Sequence, residues 1–216
     1  MNRHSFFDLL EIANKLLGKD GCPWDKKQTM SSLQPFLIEE THELLEAIDN
    51  KDLNHIAEEA GDLLYQIIFI SKIAEMQGNF TINDVISQIC EKLIRRHPHI
   101  FSTEKITTSQ EVYDRWNEIK KEEKKRKSEY VGVPKTMPSL MRAEKLFKKY
   151  AKIKPSLIKD KKILSAEIIA DKLLDLILSS IVSNIDMEGA FRRLLDKKEK
   201  EFWEDEKNHV EDNSKA

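Results

Sequence analysis

The sequence predicts an all-α protein, and three observations carry that prediction. Apolar residues recur at three- and four-residue steps along nearly the whole chain, charged residues reach 34%, and the 216 residues include only 6 glycines and 6 prolines. Hydrophobic residues, at 40%, supply a core sufficient for one or two ordinary domains. This composition excludes collagen-like, low-complexity and wholly disordered chains. Lys+Arg and Asp+Glu nearly balance, 36 against 38, so no global basic field points to specific nucleic-acid binding. Arg3, His4, Asp8 and Glu11 break up the first apolar residues, unlike a secretory leader. The apolar stretches around 63–74 and 163–185 carry Lys72 or Asp171, Lys172 and Asp175, so no membrane span is expected. Cys22 and Cys90 are too few for a disulfide framework and fit free thiols in a reducing, cytoplasmic setting.

Phe6, Leu9, Leu10, Ala13, Leu16 and Leu17 mark a first helix ending near Gly18. A loop to Met30 follows, whose Trp24 needs a packing partner. A second helix is expected from Ser31 or Ser32, either of which can cap it, with Pro35 in its first turn, running to about Asn50. The third spans about Leu53 to Gln77 on a broad apolar stripe and stops at Gly78-Asn79. Thr81-Ile82-Asn83-Asp84 resembles a capping box opening a fourth helix, which His97-Pro98 ends. A fifth runs from Ser109 to about Lys127, finishing in a mixed-sign charge run that reads as a solvated face. Residues 128–140, with Gly132, Pro134 and Pro138, read as a linker. Three more helices are expected over Leu140–Lys152, Ile163–Asn184 and Met187–Phe202, and residues 207–216 as a frayed tail.

The second helix carries Glu39-Glu40-Thr41-His42-Glu43 and the third carries Glu58-Glu59-Ala60-Gly61-Asp62. Glu40 and Glu43 form an i, i+3 pair, as do Glu59 and Asp62, so each pair shares one helix face. The short connection between the helices makes them antiparallel neighbours, and four carboxylates can converge on their seam. Facing carboxylates repel and cost desolvation beside Leu44 and Leu63 unless a cation neutralises them. An oxygen-only cage suits Mg²⁺ or Mn²⁺. Ordinary solvated glutamates on two surface helices are the bland alternative. Gly61, costly inside a helix by roughly 1 kcal/mol, is expected to serve close packing at a crowded site. Glu39-x-x-His42 also fits one half of a di-iron motif, but the partner helix offers Glu59-x-x-Asp62 in place of the second half.

Lys92, Arg95 and Arg96 share one side near the end of the fourth helix. Cations there complement the helix dipole, or they clamp several phosphates, with Arg giving forked hydrogen bonds. Trp116 and Lys120, four apart on the fifth helix, add a flat apolar surface and another cation.

Several separated motifs then meet one family. Cys22-Pro23-Trp24-Asp25, with Gln28-Thr29 and Ser32-Leu33, resembles the loop signature of the MazG family of nucleoside triphosphate pyrophosphohydrolases. Glu39-Glu40-x-x-Glu43 followed by Glu59-x-x-Asp62 matches its metal motif, Lys92 to Phe101 its basic motif, and Trp116-x-x-Ile119-Lys120 the element after it. The resemblance covers about residues 5–150. It implies an all-α fold in which two protomers complete an active-site bundle, and Mg²⁺-dependent hydrolysis of a nucleoside triphosphate to monophosphate and pyrophosphate. Carried over residue by residue, Glu40, Glu43, Glu59 and Asp62 would hold the metal, and Glu43 with Glu39 would serve catalysis. Lys92, Arg95, Arg96 and Lys120 would meet the phosphates, with Trp116 and Trp24 near the nucleoside. The loop signature sets the chain apart, by likeness, from hydrolases restricted to dUTP, dCTP or phosphoribosyl-ATP.

The likeness places a pyrophosphohydrolase module at residues 1–127 and a degenerate second copy at 141–206. Glu167-x-x-x-Asp171 lines up with Glu58-x-x-x-Asp62, but Ile168 stands where Glu59 does and Ala170 where Gly61 does. Lys197-x-x-Lys200-Glu201 lines up with Lys92-x-x-Arg95-Arg96, so a glutamate replaces an arginine. One lone carboxylate pair cannot cage Mg²⁺, and the second copy is expected to serve packing or dimerisation. A degraded second module leaves a second functional class open, a helical regulatory protein that binds Mg²⁺–nucleotide with little turnover.

Overall fold

In the computed structural model, which describes residues 4–124 and 132–213, helix follows helix with no strand among the described residues. The chain divides into two compact units, Met1–Lys120 and Lys121–Ala216.

The first unit opens with α1 (Phe6–Leu17), where the Ser5 hydroxyl accepts from the Asp8 amide and the Asp8 carboxylate accepts from the Ser5 amide. A loop with a 3₁₀ turn at Asp25–Lys27 leads to α2 (Gln34–Asn50). α2 starts later than the serines predict. The Ser32 hydroxyl accepts from the Thr29 amide while donating to Gln28, so it is spent on the preceding turn, and Leu33 takes the cap position without a side-chain bond. Lys51, at φ 57°, turns the chain into α3 (Leu53–Met76), whose first amides are capped by the Asp52 carboxylate. α2 and α3 make the most extensive helix pair of the unit, and α1 packs on α3. Leu17, Leu33, Phe69 and Ile73 form the core, with Ala13, Ala47, Ile68 and Ala74 fully buried.

The Thr81–Asp84 capping box opens α4 (Ile82–Arg96) as its sequence predicts. Pro98 ends that helix and immediately starts the short α5 (Pro98–Phe101), since its fixed φ is lost on a helix interior but suits a first turn. α6 spans Ser109–Lys124, and the rest of the expected fifth helix and the first residues of the linker lie outside the described residues.

The second unit contains α7 (Ser139–Ile153), the short α8 (Ser156–Lys159), α9 (Ala166–Val182) and α10 (Met187–Asn213). α7 packs on α10 around Val133, Leu146, Tyr150 and Phe202, with the Tyr150 and Phe202 rings stacked 3.7 Å apart. α10 continues well past Phe202 into the segment expected to fray, because Glu204, Asp205, Glu206 and Lys207 favour or tolerate a solvated helix. α9 contains no buried residue among those described.

Candidate active site

The hairpin of α2 and α3 brings three of the predicted carboxylates together. Oxygen atoms of Glu40, Glu43 and Glu59 all lie within 4.8 Å of one another. Glu59 is 6% exposed and Glu40 half-buried, whereas Glu43 and Asp62 are exposed. Asp62 stands outside that tight set yet is near enough to act electrostatically on both Glu40 and Glu59. Glu39 is exposed on α2 next to the set.

The electrostatics follow from this crowding. Burial is the main cause that raises the Glu40 carboxyl above its ordinary value, followed by the charges of Asp62, Glu43 and Glu59. Burial also raises Glu59, with Glu43 and Asp62 adding to the effect and His55 opposing it. Among the described residues no lysine or arginine forms an ion pair with these acids. The one basic group in contact is His55, whose Nε2 lies 2.9 Å from Glu59 Oε1. The Glu59 Oε2 atom is buried and partnerless.

A hard cation fits these residues. The donors are all oxygen, one of them buried and otherwise unsatisfied, and the surrounding charges favour a dipositive ion. The di-iron alternative finds no support: His42 is exposed, and His55 is spent on Glu59.

Three residues of this region escape a reading of the acidic motif alone. His55 is an i, i+4 neighbour of Glu59. Gln66 is buried, and its amide opposes the rise of the Glu40 carboxyl. Its position completes an i, i+3, i+7 stripe with Glu59 and Asp62, so helical spacing could have found it. Asp25, buried in the loop, acts electrostatically on Tyr65 one turn from Asp62, a contact without local sequence signal. Gly61 corrects an expectation. Nothing lies within 4 Å of where its Cβ would sit, so close packing among the described residues does not explain it.

The cationic motif gathers on an indole. The Arg96 guanidinium carbon lies 5.2 Å from the Trp116 ring centroid and Lys120 Nζ lies 4.5 Å from it, which ties α4 to α6. Arg96 is buried, Lys92 half-buried and Arg95 exposed. Trp24 packs edge-on against Phe36 at 5.8 Å while remaining 54% exposed, so the loop tryptophan has both a partner and a free face.

A helical hairpin whose seam collects carboxylates, with cations and indoles on the same unit, defines the class: an all-α protein with an acidic cluster that could hold a metal ion. Comparison with known proteins names the family. Residues 28–101 match the model of the MazG nucleotide pyrophosphohydrolase domain. The chain is 39% identical over 209 residues to the "Nucleoside triphosphate pyrophosphohydrolase/pyrophosphatase MazG" of Thermotoga maritima, covering 87% of this chain and 80% of that protein. It is 41% identical over 149 residues to the Escherichia coli K12 "Nucleoside triphosphate pyrophosphohydrolase", covering 67% of this chain and 57% of that one. It is 48% identical over 147 residues to "Uncharacterized protein YabN" of Bacillus subtilis, again 67% of this chain but 30% of that protein. The chain belongs to the MazG family. It spans between about a third and just over half of the length of the last two relatives.

Proposed function

We propose that the first unit hydrolyses nucleoside triphosphates to the monophosphate and pyrophosphate, with Mg²⁺, or Mn²⁺ in its place, held by Glu40, Glu43, Glu59 and Asp62. The observation that carries this reading is the gathered set of Glu40, Glu43 and Glu59, with a buried, partnerless oxygen on Glu59. It supports a site assembled at electrostatic cost, which a bound cation would offset.

When bound, the cation neutralises the triphosphate and makes its phosphorus easier to attack. The chain's own residues supply the rest. Glu39, exposed beside the set, orients a water or accepts its proton, and Glu43 has a share in that role. Lys92, Arg95, Arg96 and Lys120 hold phosphate oxygens and offset the charge that develops on the departing pyrophosphate. Trp116, which carries two of those cations on its ring, and Trp24 offer surfaces to the nucleoside.

We read the active form as a homodimer. The hairpin leaves Ile38, Leu45 and Leu53 between 51% and 79% exposed, which supports a second copy covering that face. No helix among the described residues is long and apolar enough to cross a membrane, and both cysteines are free, so we take the cytoplasm as its compartment.

The test is incubation with a panel of ribo- and deoxyribonucleoside triphosphates plus Mg²⁺, with pyrophosphate measured separately from orthophosphate. Pyrophosphate as the primary product is expected, and orthophosphate would overturn the reading. Glu43→Gln is expected to reduce turnover by about 100-fold or more, the scale of a lost metal contribution of several kcal/mol.

A further inference from the structure

In the second unit α7 and α10 pack on each other, whereas α9 has no buried residue. Its sequence is nonetheless that of a core helix. A row of apolar residues at four- and three-residue steps, Ala170, Leu174, Ile177 and Ile181, runs its length and is exposed throughout, Leu174 at 53% and Ile181 at 68%. The row beside it is half-buried at Leu173 and Ser180, so that side is already partly covered. An apolar face this wide persists in water only when another surface covers it.

The exposed row carries its own complement. Read in reverse, it sets Ala170 opposite Ile181 and Leu174 opposite Ile177, so two antiparallel copies match the small side chain with a large one at both ends. A parallel pair would face Ala170 with Ala170 and Ile181 with Ile181, leaving a void at one end and crowding at the other. Charge gives the same answer. Glu167, Asp171, Lys172 and Asp175 lie in the first half of the helix, and residues 176–185 carry no charge. Antiparallel pairing lays each charged half beside an uncharged one, whereas parallel pairing brings Glu167 and Asp171 up to their own copies.

The area is sufficient. Ile169, Leu174, Ile177, Leu178, Ile181 and Ile185 together expose about 300 Å² per copy, at roughly 100 Å² for a whole Leu or Ile side chain. Two copies bring about 600 Å² of apolar surface, which at an apolar share of roughly 60% makes an interface of about 1,000 Å², the size a specific contact needs.

We propose that α9 is a self-docking helix: a second copy of this chain lays its own α9 antiparallel along Ala170, Leu174, Ile177 and Ile181, about a two-fold axis between Leu174 and Ile177. This contact is separate from the α2–α3 face read above as a dimer contact, and it stands without it.

The experiment is oxidative cross-linking of the full chain with Cys22 and Cys90 replaced by serine. In Ala170→Cys/Ile181→Cys the two thiols of one chain are about 16 Å apart along the helix, beyond disulfide reach, so any bond they form joins two chains. The double variant is expected to give a covalent dimer on a non-reducing gel, and each single variant to give none. No dimer from the double variant overturns the proposal, and so does a dimer from either single variant at a similar yield. Ile177→Lys, added to the double variant, is expected to lower the yield at least about 10-fold, because each copy then brings a charge into the apolar contact. Ile168→Lys, on the opposite face of α9, is expected to leave the yield unchanged. An unchanged yield in Ile177→Lys, or an equal loss in Ile168→Lys, also overturns the contact. Sedimentation of the unmodified chain keeps the two interfaces apart. A two-chain mass without the cross-link rejects the α9 contact alone, and a single-chain mass rejects the α2–α3 contact as well.

Discussion

Both units gather acids, and they treat them in opposite ways. In the second, Asp196 and Glu199 lie 2.7 and 2.6 Å from the Arg142 guanidinium, which is buried between α7 and α10. Asp205 accepts from the Tyr150 hydroxyl and lies 3.6 Å from Lys154. The hydrogen bond from Arg142 holds Asp196 below the ordinary carboxylate range, and that from Tyr150 does the same for Asp205. In the first unit Glu40 and Glu59 move the other way, raised by burial and by the charges of neighbouring acids. In the second unit, acids paired with a buried guanidinium or a tyrosine hydroxyl join α7 to α10. A cluster left with excess negative charge costs its own fold unless a cation offsets it. The contrast separates acids that the chain itself pairs from acids that it leaves crowded, which acid content does not.

The contrast breaks most sharply at Glu59. Glu59→Gln removes a buried negative charge that His55 alone opposes among the described basic groups, against the charges of Glu43 and Asp62, so the metal-free protein is expected to unfold at a higher temperature than wild type. Its Mn²⁺ affinity is expected to fall by more than about 100-fold, beyond the loss typical of outer-shell partners. Calorimetry with and without Mn²⁺ measures both. A lower metal-free unfolding temperature would show that Glu59 is structural, like the acids of the second unit.

Arg142→Met is the counterpart. It strands two acids, and it is expected to destabilise the second unit by about 3 kcal/mol, the lower end for a broken buried pair, since Asp196 is half in solvent. Urea unfolding followed by the fluorescence of Trp203, on α10, would detect it. Mn²⁺ affinity should stay at the wild-type value, because none of these residues belongs to the seam.

The pH response of the second unit follows from the lowered acids. A carboxylate whose folded value lies below its unfolded value binds more protons when unfolded, so it adds stability above the unfolded value, about 4. That stability disappears as pH falls through the folded value. The second unit is therefore expected to lose stability progressively below about pH 4. Asp196→Asn should be less stable than wild type at neutral pH, and the two should converge as the pH is lowered. Parallel acid-unfolding curves would show that Arg142 gains nothing from the Asp196 charge.

Much of this division was legible in the residues. The i, i+3 acidic pairs and the short turn at Lys51-Asp52 place Glu40, Glu43 and Glu59 on one seam, since helical periodicity and hairpin geometry are local rules. The Thr81–Asp84 cap was readable for the same reason. What stayed hidden depends on choices between competing partners. Ser32 can cap a helix or close a turn with Thr29, and only the packed loop decides. Asp205 lies just past the expected helix end at Phe202, with no sequence sign that Tyr150, far back in the chain, gives it a hydroxyl. Gln66 is a polar residue within an apolar stripe, and its influence on Glu40 exists only once α2 and α3 lie together.

The smallest expected effect tests the comparison where sequence likeness is most misleading. Glu167 aligns with an acid of α3, yet it sits in the exposed first turn of α9. There it is held below the ordinary carboxylate range by the Ser165 hydroxyl and by its own backbone amide. Those are the partners of a helix start, where a negative charge complements the dipole and contributes about 0.3–1 kcal/mol. Ile168 stands where an acid would be needed, Asp171 is exposed, and among the described residues Glu167 belongs to no group of three or more acids that could hold a metal. Glu167→Gln is thus expected to lower stability by less than about 1 kcal/mol and to leave Mn²⁺ affinity and nucleotide turnover within two-fold of wild type. A loss of turnover as large as that of Glu43→Gln would mean that the second unit takes part in the chemistry, and that a carboxylate paired within its own helix turn can still be catalytic.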